Sequence, residues 1–207
     1  MPYTRDIVIL TKSAKPTGNC VAGIDIETGE WVRPVKRQGA IADYNMICDD
    51  GHICRPLDVV KIHFIAPCPN GCQTENELID TNYRWQMLGT WDIEDVLQIH
   101  SKENHSNIFG NFYSRIDEQE KDELDYSLIL IEVNNLEFYT NVSSYDGKKK
   151  TKARFVYNGR NYNYFSVTDR DFFDVEAIYG HAYLVISMPN NAPTAPDYYK
   201  LIAKVFL

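Results

Sequence analysis

Residues 153–168, ARFVYNGRNYNYFSVT, alternate apolar and polar side chains on either side of Asn158-Gly159. Alternation with a period of two puts one face of a strand against a core and the other in solvent. Asn-Gly is the pair that best supports the positive φ angles of a two-residue hairpin turn. The stretch therefore predicts a β-hairpin with Tyr157, Tyr162, Tyr164 and Phe165 on its strands. The composition agrees: 14 Tyr and an aromatic content of 13% suit strands and contact surfaces better than a helical bundle.

Working outward, short apolar runs bounded by turn residues recur. Residues 127–133 (SLILIEV), 182–187 (AYLVIS) and 199–206 (YKLIAKVF) read as further strands of the second half. The polar stretch 143–154 (SSYDGKKKTKAR) reads as a hairpin region turning at Asp146-Gly147. In the first half, residues 6–10 (DIVIL) predict a buried strand and 11–19 a polar loop broken by Pro16 and Gly18. Residues 20–26 (CVAGIDI), a turn at 27–30, and 31–35 (WVRPV) make a hairpin or meander, with Pro34 confining its strand to an edge or bulge. Residues 59–65 (VVKIHFI) are the clearest strand here, followed by the loop CPNGCQTENEL at 68–78. WDIEDVLQIH at 91–100 has helical spacing with acids near its start. Residues 101–123 read as an acidic connector. The expected architecture is mainly β with minor α, two tandem small barrels over 1–98 and 99–207, the second preceded by the connector.

A hydrophobic content of 44% and a charged content of 24% exclude wholesale disorder. No apolar run approaches the roughly 18 residues of a membrane span. The start, MPYTRDIVILTKSAK, lacks the long apolar core of a signal peptide, and an odd set of cysteines (20, 48, 54, 68 and 72) is a poor disulfide framework. The expected location is the cytoplasm. The net charge of −8 hides a segregation: residues 75–137 hold 15 carboxylates against four cationic side chains, leaving the rest at +3. Non-specific coating of DNA by the overall field is excluded, so any nucleic-acid site must be a local basic surface.

The first candidate surface is Lys12, Lys15, Asn19, Trp31, Arg33, Lys36 and Arg37 around the first hairpin. Arg33 offers a forked donor to phosphate, Lys12 and Lys15 point charges, and Trp31 a stacking face, unless Trp31 is core and the lysines merely solvated. Gln73 and Asn76 in Gln73-Thr74-Glu75-Asn76 can read base edges or ribose hydroxyls. The alternative is helix capping, with Glu77 completing a box for Thr74. Thr168-Asp169 reads as a ligand contact or, more simply, an Asx-type turn. The run 148–154 (KKKTKAR), with Lys149 and Lys150 at its head, follows a phosphate backbone or is a solvated hairpin tip. Cys48, His52, Cys54, His63, Cys68 and Cys72 have thiolate and imidazole chemistry, but only C-x₃-C at 68–72 has zinc-like spacing, so no metal is expected. No P-loop, G-x-S-x-G, H-E-x-x-H or G-x-G-x-x-G occurs, and no cofactor or catalytic residue is expected.

KPTGNCVAGID (15–25), TGEWVRPV (28–35), LDVVKI (57–62), QTENELI (73–79), SVTD (166–169) and YYKLIAKVF (198–206) occur in the order seen in the dual OB-containing domain family, which the chain resembles from Leu10 to Phe206. The resemblance implies two OB-like barrels, a largely prokaryotic distribution, and binding of nucleic acid or nucleotides without an established enzymatic activity. The expected function is a non-enzymatic module for single-stranded DNA or RNA. The alternatives are a sensor of a small nucleotide built on Arg33, Gln73 and Asn76, and an interaction module docking a basic partner on its acidic middle.

Overall fold

The computed structural model describes residues 1–142, 147–191 and 197–207; Asp146 of the expected Asp146-Gly147 turn lies outside them. The chain divides into two compact units, Met1–Ser101 and Lys102–Leu207. Its strands are β1 (Tyr3–Lys15), β2 (Gly18–Asp25), β3 (Trp31–Val35), β4 (Asp58–Pro67), β5 (Asn76–Ile79), β6 (Gln86–Thr90), β7 (Arg115–Ile116), β8 (Leu128–Val142), β9 (Lys149–Tyr157), β10 (Arg160–Val167), β11 (Ala177–Ser187), β12 (Tyr198–Tyr199) and β13 (Leu201–Phe206). The short helices are α1 (Ile93–Ile99) and α2 (Glu118–Asp122). Among the described residues no helix is long and apolar enough to cross a membrane.

In the first unit β1 pairs antiparallel with β2, β2 with β3, β5 with β4 and β4 with β1, while β3 and β5 run parallel. These pairings return the sheet on itself, and β6 adds to β4. The second unit repeats the plan as a closed barrel in the order β10-β13-β11-β8-β9, its one parallel pair being β10 with β13. Counted within each unit, the ring runs first, second, third, fifth, fourth strand and back to the first. Mainly β structure in two barrels of this order is the OB-like architecture that the resemblance implies.

The first core gathers Ile7, Ile9, Val21, Val32, Val60, Ile62, Phe64 and Trp85. Gly23 lets β1 and β2 approach, since a Cβ there would lie 2.1 Å from the Val8 carbonyl oxygen. In the second unit Phe155 and Tyr162 stack at 5.6 Å and Phe165 meets Phe155 edge-on at 5.1 Å. Asn158 and Gly159 have φ of 49° and 72°, as the Asn-Gly turn requires.

Several local readings need correction. Residues 11–15 are not loop: β1 continues to Lys15, pairing Lys12 with Val21 and Ser13 with Cys20 after a bulge between Ile9 and Thr11. Thr11 and Ser13 face inward, so the hydroxyls carry an alternation that the lysines between them obscure. The helix cap at Thr74 does not form, because Asn76–Ile79 is β5, where the buried Glu77 accepts from Tyr3 and pairs with Arg5 at 3.0 Å. Pro34 sits past the last β2–β3 partners, Gly23 and Val32, where its missing N–H breaks no rung. Helix α1 starts at Asp92, whose side chain accepts from the Asp95 N–H, and Asp117 caps α2 alike. Part of the acidic middle thus does capping.

Candidate nucleic-acid interface

The register of the first barrel separates residues that the sequence reading grouped. Because β3 runs parallel to β5 and antiparallel to β2, the β1–β2 turn lies at the same end as the C-terminal ends of β3 and β5. Lys12, Lys15, Asn19 and Lys36 belong to that end; Trp31 and Gln73 belong to the other. Lys12 is paired with Asp43 at 3.1 Å, and the buried Asn19 donates to the same carboxylate and to the Ile41 carbonyl, tying β2 to the β3–β4 connection. Lys15 is exposed at the end of β1. Lys36 reaches Asn45 at 3.3 Å and lies 5.5 Å from the Tyr44 ring. Trp31 is half-buried, edge-on to His100 at 5.3 Å.

Arg33 does not face solvent. It is 2% exposed; its Nε donates to Glu75 Oε1 and its Nη1 to Cys20 Sγ, both at 2.8 Å. Burial opposes its charge, but Cys20 and Glu75 outweigh burial and hold the guanidinium above its ordinary range. The fork expected at a phosphate is therefore engaged inside the first unit. Cys20 is half-exposed and its sulfur serves as an acceptor for Arg33. Asn76 lies beside Arg33 and contacts Gln73 at 3.4 Å, yet it too is buried, and its Oδ1 has no donor among the described residues.

The second barrel carries a basic strand on its outer face, where the Lys152 ammonium lies 6.0 Å from the Tyr199 ring. Along β9, Thr151, Ala153 and Phe155 point inward, which puts Lys150, Lys152 and Arg154 on the outer face. Lys149 and Lys150 are exposed at the start of the strand, beside Val142 and Asn141 of β8. Lys152 stands between Tyr139 of β8 and Ser166 of β10, donating to the Ser166 hydroxyl at 2.7 Å. Burial, and after it the positive charge of Lys150, pushes the Lys152 ammonium below its ordinary value. Arg154 is held by Glu137 through two hydrogen bonds of 2.8 Å. Of the aromatics noted in this hairpin, Tyr157, Tyr162 and Phe165 are core. Tyr164 is 62% exposed: the β9–β10 register slips between Tyr162 and Phe165, and a φ of 65° turns its ring outward, edge-on to Tyr139 at 6.4 Å.

The cysteines and histidines weighed as metal ligands are dispersed. Cys48 and Cys54 lie in the first core, where their mutual hydrogen bond, with burial, pushes the Cys54 thiol up, away from the thiolate a metal needs. His52 is held by Asp58 at 2.7 Å, and His63 stacks on Tyr83. All five cysteines are free, and no group of three or more metal-type ligands occurs among the described residues. Asp169 makes the turn: it accepts from Asp171 and from Val205 and pairs with Lys204 at 3.1 Å.

Sequence reasoning missed a cleft of about 540 Å³ in the first unit, lined in part by Lys36, Tyr44, Asn45, Asn82, Tyr83 and Arg84. Of these only Lys36 had been singled out. The signal was the run Thr81-Asn82-Tyr83-Arg84, which sets amide, aromatic and cation side by side in a connection rather than on a strand.

A protein-family model, the dual OB-containing domain, matches residues 5–205. No curated protein and no solved structure matches the chain. With two barrels of OB order and a match over essentially its whole length, the chain belongs to the dual OB-containing domain family.

Proposed function

We propose that this chain is a non-catalytic cytoplasmic module that binds single-stranded nucleic acid on the outer face of β8, β9 and β10. The observation that carries this reading is one outer sheet face on which Lys152 lies opposite Tyr139, the Tyr139 ring meets the exposed Tyr164 ring edge-on, and Lys150 stands two residues along the same strand. Cations track a backbone, aromatic rings stack on bases of any sequence, and OB-type barrels use the face of their second and third strands, here β9 and β10. The repulsion between Lys150 and Lys152 favours a polyanion, which relieves it. The chain's net charge of −8 does not oppose this, because screening makes the local field decisive.

Fluorescence anisotropy with labelled single-stranded DNA and RNA tests the proposal. Tyr164→Ala is expected to weaken binding about tenfold, since a stacked base contributes roughly 1–3 kcal/mol. Lys150→Ala with Lys152→Ala should lower the slope of log affinity against log salt by about 1.4, at roughly 0.7 per phosphate contact on a single strand. A parent protein that binds no single strand at low salt, or variants that bind as the parent does, would remove the reading.

A further inference from the structure

We propose that the cleft of the first unit is a separate binding site for a phosphorylated nucleoside, free or at the end of a strand. Its volume of about 540 Å³ exceeds what an inorganic anion needs and falls within the roughly 300–1,000 Å³ of small-ligand pockets. Among the described residues that line it, none is a carboxylate. The acids nearby are engaged: Asp43 pairs with Lys12, and Asp80 accepts from the Asn82 amide at 2.8 Å.

The lining supplies each chemistry such a ligand carries. Tyr83 stacks on His63 at 4.1 Å with rings 13° apart, so one face of its ring is fixed while the residue stays 55% exposed. A planar base stacking on it orders a ring that the protein has already ordered. Tyr44, 68% exposed, is the second ring. Arg84 is exposed and makes no hydrogen bond or ion pair among the described residues, so its planar fork is open to a phosphate. Lys36 adds a second positive charge. The amides are oriented by their own contacts: Asn45 Oδ1 accepts from the Ala42 N–H and from Lys36, and Asn82 Nδ2 donates to Asp80. That leaves a donor on Asn45 and an acceptor on Asn82, a complementary pair for the edge of a base.

Calorimetric titration of the full chain tests the site, with the four nucleoside 5′-monophosphates, the matching nucleosides, inorganic phosphate, and short oligonucleotides with and without a 5′-phosphate. Monophosphates are expected to bind at least tenfold more tightly than nucleosides, and phosphate alone more weakly than either. Arg84→Ala should cut monophosphate affinity about tenfold or more while leaving nucleoside affinity in place. Tyr83→Ala should weaken both about tenfold, and Tyr83→Phe neither. Both positions are exposed, so unchanged thermal unfolding confirms that the variants fold. Preference for the 5′-phosphorylated oligonucleotide identifies a strand end as the source; monophosphate binding without that preference identifies the free nucleotide. The proposal is overturned if the parent binds no monophosphate up to millimolar concentration, or if Arg84→Ala and Tyr83→Ala bind it as the parent does. It is equally overturned if Lys150→Ala with Lys152→Ala abolishes monophosphate binding, which would move the ligand to the second unit. Failure of strand binding on β8–β10 leaves these outcomes unaffected.

Discussion

Arg33→Leu is expected to destabilise the first unit by about 3–5 kcal/mol, the usual cost of removing one partner of a buried ion pair. The Arg33 side chain is 3% exposed and that of Glu75 is 7% exposed, so the carboxylate left behind is kept from hydration. The Cys20 thiol loses its donor as well. Chemical denaturation followed by tryptophan fluorescence measures the loss. Adding Glu75→Leu to Arg33→Leu should recover most of it, because an apolar pair of similar volume avoids the desolvation of both ions. A single variant costing less than about 1 kcal/mol would mean that water reaches the pair. Nucleic-acid affinity per folded molecule should stay at the parent value. The sequence reading placed this residue at a phosphate, where its loss would have weakened binding instead.

Lys200→Met is the second large effect, about 3 kcal/mol on the second unit. Lys200 is fully buried, and its Nζ donates to the Ile108 carbonyl at 2.5 Å, the Asn111 carbonyl at 2.8 Å and Asn111 Oδ1 at 2.7 Å. Methionine fills the space but strands these acceptors, each at a cost of roughly 1–3 kcal/mol when buried. Burial pushes the ammonium from 10.5 down to about 7, with Glu120 pulling weakly the other way. An unfolded chain keeps this proton to about pH 10.4, so between the two values it binds more protons than the native state. Native stability therefore rises with pH from about 7 to 10 and is at its lowest below 7. The methionine variant lacks this contribution, and its deficit should widen across that window. Denaturation midpoints of parent and variant at pH 6, 7.5 and 9 measure it; a constant deficit would mean that Lys200 does not titrate there.

Much of the fold was legible because it rests on local signals. The alternation around Asn158-Gly159, the apolar runs at 6–10, 59–65 and 182–187, and the acids opening 91–100 each write a strand, turn or helix into a few neighbouring residues. The parts that escaped have weak local signals. Thr11 and Ser13 turn inward only because β2 pairs alongside them, and the four residues of β5 become a strand only because β3 and β4 offer edges on either side.

The site was far less legible. Residue type made Arg33, Lys12 and Lys150 candidate contacts for an anion and placed Tyr164 on a hairpin strand. Tertiary structure ranked them: Glu75 and Cys20 close over Arg33, Asp43 neutralises Lys12, and a slip in the β9–β10 register turns Tyr164 into solvent. By itself the sequence determined that this chain forms two small β-barrels, because backbone periodicity and turn chemistry act over a few residues. Which cations face outward was decided only by the folded chain, because burial and ion pairing join residues as far apart in sequence as Arg33 and Glu75.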